Sequence, residues 1–143
     1  MRNSMKLTFA ALPENEALAR MAISAFILPV NPTLVQLADV KTAVSEAVTN
    51  AIIHGYEEGP GIVHMKLTIR EREFEAEVRD EGVGIADVKK AMEPLYTSKP
   101  SRERSGMGFS FMEAFMDQVT VDSKPGRGTV VRMTKRLEAG KGR

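Results

Sequence analysis

Glu46 and Asn50 stand one turn apart late in a long helical pattern, so both side chains project toward the same side of a helix. A carboxylate there can orient a hydroxyl or a water and accept its proton. An amide oxygen one turn on suits Mg²⁺, a hard cation that keeps several waters and takes few protein ligands. Taken alone, such a pair is more often solvated. Ala43, Ala47 and Ala51 beside it change the weighing, because small residues leave room for a ligand against the helix.

Asp80 ends a strand pattern in which Phe74, Ala76 and Val78 alternate with charges. An ionised carboxylate only accepts hydrogen bonds, which matches an exocyclic amino group such as that of adenine. Gly82 and Gly84 follow, and glycines let the main chain approach a flat base or sugar. Further on, Ser105-Gly106-Met107-Gly108 immediately precedes a helical pattern. The free N–H groups and dipole of a helix N-terminus favour a phosphate. The spacing is not that of a P-loop, and no acidic residue ends a second parallel strand as a dinucleotide fold requires. Gly128-Thr129 is the weakest signal and by itself reads as a hairpin. In this order the four stretches suggest a nucleotide held between a helix, two glycine loops and a sheet.

Composition bounds what else the chain can be. Its 143 residues make one domain by ordinary size priors, able to bury a core without staples. Cysteine is absent, so disulfides, thiolate metal sites and thiol nucleophiles are excluded. Two histidines, His54 and His64, are too few for a histidine metal cage. No signal-peptide core or membrane-length apolar run is present, and a cytoplasmic protein with no membrane partner is expected. A net charge of +1 gives no long-range reason to expect a nucleic acid.

The elements that must position these residues follow from periodicity. Met5–Ala10 alternates as a strand. A helix opens at Pro13-Glu14 with Leu18, Met21, Ala22, Ala25 and Phe26 at helical spacing, and should end before Pro29. Asn31-Pro32 reads as the cap and first residue of the long helix. Its apolar stripe is Leu34, Leu37, Val40, Val44, Val48 and Ile52, and Gly55 fits its C-terminus. Two hairpin strands over 62–70 and 74–80, a helical turn or two over 87–92, a helix over 107–116 and two strands over 118–123 and 129–135 follow. His54 reads as a structural residue at the helix end, and the methionines and phenylalanines as core. The polar stretch from Pro94 to Ser105, with Thr97, Lys99, Arg102 and Arg104, is of the kind that is mobile or functional. Residues 1–137 are expected to form the domain and 138–143 a disordered tail. The fold class is α/β (α+β), a two-layer sandwich whose mixed, largely antiparallel sheet carries helices on one face.

Glu46-Ala47-Val48-Thr49-Asn50-Ala51, Asp80-x-Gly82-x-Gly84, Gly106-x-Gly108 and Gly128-Thr129 resemble the N box and the three G boxes of the Bergerat-fold (GHKL) ATPases and kinases. The resemblance spans nearly the whole chain. Val44–Tyr56, Leu95–Pro100 and Glu103–Phe109 are similar to the sporulation anti-sigma serine kinases within that group. It implies Glu46 as general base for a serine hydroxyl, Asn50 as Mg²⁺ ligand, Asp80 as adenine anchor, and Gly82 and Gly84 against the base. Pro94–Gly108 would form an ATP lid, with Thr97, Lys99 and Ser105 toward the nucleotide and Gly106, Met107 and Gly108 giving phosphate-binding amides. Thr129 would support the adenine side. The implied ligands are ATP and ADP. The implied partners are a sigma factor, held inactive by a homodimer, and an anti-anti-sigma protein as substrate, with Arg20 contacting both. Only Met1–Val30 precede the long helix, none of them histidine, which weighs against an autokinase. The ATP domain of a histidine kinase and a nucleotide-gated binding module without catalysis stay open as alternatives.

Overall fold

Alternation in the strands puts one row of side chains beneath the helices. In the computed structural model, which describes residues 1–93 and 108–140, Val63, Met65, Leu67 and Ile69 of β2 (Ile62–Arg70) are buried. So are Phe74, Ala76 and Val78 of β3 (Glu73–Asp80) and Val131 and Met133 of β5 (Gly128–Arg136). The intervening row is open to solvent: Lys66, Glu75 and Arg132 are exposed, and Arg132 Nε pairs with Glu77 at 2.9 Å across the strands.

The sheet order is β1-β2-β3-β5-β4, with β1 at Arg2–Ala10 and β4 at Gln118–Lys124. All of its pairings are antiparallel, which corrects the expectation of a mixed sheet. The reason is the last hairpin. β4 runs in the same direction as β3, but β5 folds back between them, so the two never pair. β1 starts earlier than its apolar alternation indicates, because Arg2, Asn3 and Ser4 pair with Arg70, Ile69 and Thr68. Backbone pairing there overrides a weak side-chain pattern.

Helix α1 (Asn15–Ile27) buries Ala19, Ile23, Phe26 and Ile27, and α2 (Leu34–Asn50) buries Val40, Ala43, Val44, Ala47 and Val48. The Phe26 and Phe74 rings, tilted with centroids 6.4 Å apart, join α1 to the sheet. A short α3 (Val88–Ala91) and α4 (Gly108–Phe115) complete the layer, with Met112 fully buried. Leu34, expected in the apolar stripe, is 84% exposed.

The first helix ends before Pro29, at Ile27, as its spacing indicates, and the chain continues into a 3-10 turn over Leu28–Val30. A proline in a first turn has no N–H to leave unpaired. Two local expectations change around and after this turn. Asn31 is not the cap of α2 but takes a left-handed conformation, φ 50°, where asparagine is favoured among side-chain-bearing residues. The cap is Thr33, whose hydroxyl accepts from the Gln36 N–H at 3.1 Å. The expected tail is fastened as far as Gly140. Gly140 N–H donates to the Asn31 carbonyl at 2.6 Å, Glu138 N–H to Gln36 Oε1 at 2.7 Å, and Ala139 bridges Pro32. Backbone partners at Asn31 and Pro32 and the Gln36 side chain of α2 hold what composition alone leaves loose.

Candidate functional site

The α-helical ladder of α2 gives way after Asn50 to a wider π-helical turn, Ala51–Gly55, closed by Tyr56 N–H on the Ala51 carbonyl at 2.9 Å. This turn carries the helix end against the C-terminal end of β3. Gly55 is required for the approach: a Cβ there would lie 2.7 Å from Asp80 Cγ. It is not a left-handed cap; the left-handed residues are Glu57 and Glu58, with φ 53° and 61°. On the other side of the contact, a Cβ on Gly82 would stand 1.9 Å from the Gly55 carbonyl oxygen. The missing side chain of Gly82 therefore answers to protein backbone. Val83 N–H donates to that same Gly55 carbonyl at 2.8 Å. Tyr56 holds the loop from outside, its hydroxyl accepting from Glu81 N–H at 2.7 Å and donating to the Ile62 carbonyl at 2.6 Å.

Asp80 is 5% exposed at the floor of this arrangement. Burial pushes its carboxyl above the usual aspartate range, while the N–H groups of Gly82, at 2.9 Å, and Thr129 oppose that shift. Thr129 faces Asp80 across the β3–β5 ladder and is itself 8% exposed. Behind it, the Ser123 hydroxyl of β4 meets three groups at 2.8 Å each: the Ile85 N–H, the Gly128 carbonyl and the Thr129 hydroxyl. The loop after β3 is thereby tied to the last hairpin.

These elements enclose a cavity of about 560 Å³. Its walls include Ala47, Asn50 and His54 from the long helix, Asp80 and Gly84 from β3 and its loop, and Gly108 and Thr129. Asn50, Asp80, Gly84, Gly108 and Thr129 are thus brought together as the sequence indicates. Among the described residues that line the cavity, Gly82 and Glu46 are not included. Glu46 is half-buried one turn before Asn50. Thr97, Lys99, Ser105, Gly106 and Met107 lie outside the described residues. Arg20 does not line this cavity: it sits on α1, paired with Glu16 at 3.5 Å, and Glu16 accepts from the Ser45 hydroxyl at 2.6 Å. His54, read as structural, lines the cavity, as do Asp87 and Lys90 of the α3 segment. Ser123 carried no sequence signal; only the β4–β5 register places its hydroxyl beside Thr129. Among the described residues no cluster of three or more His, Asp or Glu forms a metal cage, and no helix is long and apolar enough to cross a membrane.

A family model described as the histidine kinase-like ATPase domain matches residues 9–135, the span holding every element around this cavity. The chain belongs to that family. Within it, the chain is 51% identical over 142 residues to a protein of Bacillus subtilis (strain 168) named anti-sigma F factor, covering 99% of this chain and 97% of that one. A protein of the same name from Clostridium acetobutylicum is 54% identical over 137 residues, covering 96% of both chains. Two solved structures agree in fold. One holds the RsbU and RsbW domains of a Mycobacterium tuberculosis protein (TM-score 0.69, 20% identity), with 99% of this chain and 35% of that chain aligned. The other is the catalytic domain of the histidine kinase ThkA (TM-score 0.53, 13% identity), with 93% and 96% aligned. The chain thus aligns over nearly its whole length with these anti-sigma F factors and shares its fold with these two solved structures.

Proposed function

We propose that this protein is an anti-sigma factor that binds a sigma factor and, using Mg-ATP, phosphorylates a serine of an anti-anti-sigma protein. The observation that carries the nucleotide part is the cavity floor, where a buried carboxylate stands beside Thr129 under a helix presenting Asn50. Identity of 51–54% to anti-sigma F factors along nearly the whole chain supports the partners.

Asp80 accepts a hydrogen bond from the adenine amino group, with Gly84 and Thr129 beside the base and Gly82 setting the loop on Gly55. Gly106, Met107 and Gly108 offer amides to the phosphates, and Thr97, Lys99 and Ser105 complete the nucleotide contacts. Asn50 would hold Mg²⁺, since its amide offers a hard oxygen at the cavity wall and this ion takes few protein ligands. When bound, the ion neutralises phosphate charge. Glu46 takes the proton of the substrate serine as its oxygen bonds to the γ-phosphorus and the bond to the β-phosphate oxygen breaks, leaving ADP. Phosphoryl transfer asks chiefly for positioning and charge neutralisation, which suits a small domain.

The protein acts as a homodimer in the cytoplasm. Arg20, held by Glu16, contacts both the sigma factor and the anti-anti-sigma protein, so the two compete. ATP and ADP shift the outcome only to the extent that they favour different states of the lid. Incubation of the purified chain with Mg-ATP, a sigma factor and a small anti-anti-sigma protein tests this reading. Phosphoserine on the latter and mutually exclusive complexes are expected. Phosphohistidine on the chain itself, or nucleotide binding with no transfer, points to the histidine-kinase or binding-module alternatives.

A further inference from the structure

Ser123 does not line the cavity, yet its hydroxyl fixes which way the hydrogen bonds at the cavity floor run. A serine hydroxyl has one proton to give and two lone pairs. The Ile85 N–H can only donate to Ser123 Oγ, and the Gly128 carbonyl can only accept from it; both contacts are 2.8 Å. The serine proton therefore lies toward Gly128, since two oxygens at that distance with no proton between them repel. The third 2.8 Å contact, to Thr129 Oγ1, then requires Thr129 to be the donor. With its proton committed backwards, Thr129 turns only lone pairs to the cavity. Asp80 beside it already takes the Gly82 and Thr129 N–H groups as an acceptor.

We infer that Ser123 is a specificity-determining positioning residue: by holding the Thr129 proton it keeps the floor acceptor-only and selects a purine that presents an amino group there over one that presents an oxo group. This rests on the nucleotide reading above and names the feature of the base that is read. An oxo group placed against two acceptors has no proton to share, whereas an amino group satisfies both. Ser123 also secures the Ile85 backbone, so its removal has a structural component that must be separated from selection.

The test compares ATP with inosine triphosphate, which carries oxo in place of amino, in equilibrium binding to wild type and Ser123→Ala. Wild type should prefer ATP by about 10²-fold, the scale of a hydrogen bond to a charged acceptor. In Ser123→Ala the Thr129 hydroxyl can rotate into the cavity and donate. ATP binding then weakens, inosine triphosphate binding strengthens, and the preference falls to within about tenfold. Ser123→Thr, which keeps the hydroxyl, should restore the wild-type ratio. Ser123→Cys, similar in shape with a weak donor and acceptor, should lower the ratio even if the alanine variant does not fold. Parallel loss of both affinities at constant ratio would make Ser123 merely structural and overturn the inference. Equal wild-type affinity for the two nucleotides would also overturn it while leaving nucleotide binding intact. Binding of neither nucleotide by folded wild type removes the nucleotide reading itself.

Discussion

The inner end of the cavity and the outer face of α1 treat polarity in opposite ways. At the cavity floor, polar groups are buried and bonded: Asp80 takes two backbone N–H groups, and Thr129 and Ser123 are closed on each other. On α1 and just beyond it, Leu18, Met21 and Leu28 stand in solvent at helical spacing, with Met21 73% exposed, and Leu34 and Val35 of α2 are exposed as well. Angularly, Leu18, Met21 and Leu28 lie opposite Ala19, Ile23 and Phe26, so α1 is apolar on two sides and covered on one. A small ligand is read by a few fixed polar groups in an apolar wall, whereas a macromolecule is held by exposed area. The two regions can therefore be damaged separately.

The largest expected effect lies beside the cavity. Glu46→Gln should slow phosphoryl transfer by about 10²–10⁴-fold, the range for loss of a general base, with nucleotide and sigma binding retained. Transfer assays run alongside nucleotide titration check this. A joint fall in rate and affinity would make Glu46 a binding residue instead.

Asp80→Asn comes next, with ATP affinity falling by about 1–3 kcal/mol, the scale of a charged hydrogen bond. Stability should move differently. Because burial raises the Asp80 carboxyl in the fold, its ionisation there costs stability. The wild-type advantage is fullest below the unfolded-state value and is lost as pH rises through the raised folded value. At neutral pH the asparagine variant should be at least as stable as wild type, and less favoured in acid. Denaturation across pH reads the sign, and a variant that is less stable at neutral pH than in acid, relative to wild type, contradicts it.

Gly82→Ala forces a methyl to within 1.9 Å of the Gly55 carbonyl and should cost about 1–3 kcal/mol of stability through overpacking. Chemical denaturation measures it; an unchanged midpoint would mean that the loop shifts freely. The smallest effect on the fold belongs to α1. Met21→Gln should leave stability within about 0.5 kcal/mol, because the side chain is already in water, while weakening sigma capture. Unchanged capture would separate this face from partner binding.

Much of this was legible beforehand. Asn50 and Asp80, which the structure brings to one cavity, stand out through residue type and spacing, and the strands through strict alternation; Glu46 stands out equally but does not line that cavity. Other features were hidden for identifiable reasons. Gly55 looked like a helix cap because helices commonly end in glycine, but its value is room for Asp80, which arrives from a strand 25 residues later. Asn31 looked like an N-cap because it precedes proline, but it ends the 3-10 turn in a left-handed conformation and Thr33 caps the helix. Ser123 sits in a half-polar edge strand with nothing nearby to mark it.

The sequence alone determined the families of side chain: the acid and amide one turn apart, the terminal aspartate and the glycines that permit close backbone contact. These follow from local periodicity and chemistry. Only the tertiary structure decided which glycine meets which backbone, that β5 slips between β3 and β4, and that the Ser123 hydroxyl meets Ile85, Gly128 and Thr129 behind the floor. Each depends on register between strands distant in the chain, where a shift of one residue would turn Thr129 to the other face of the sheet.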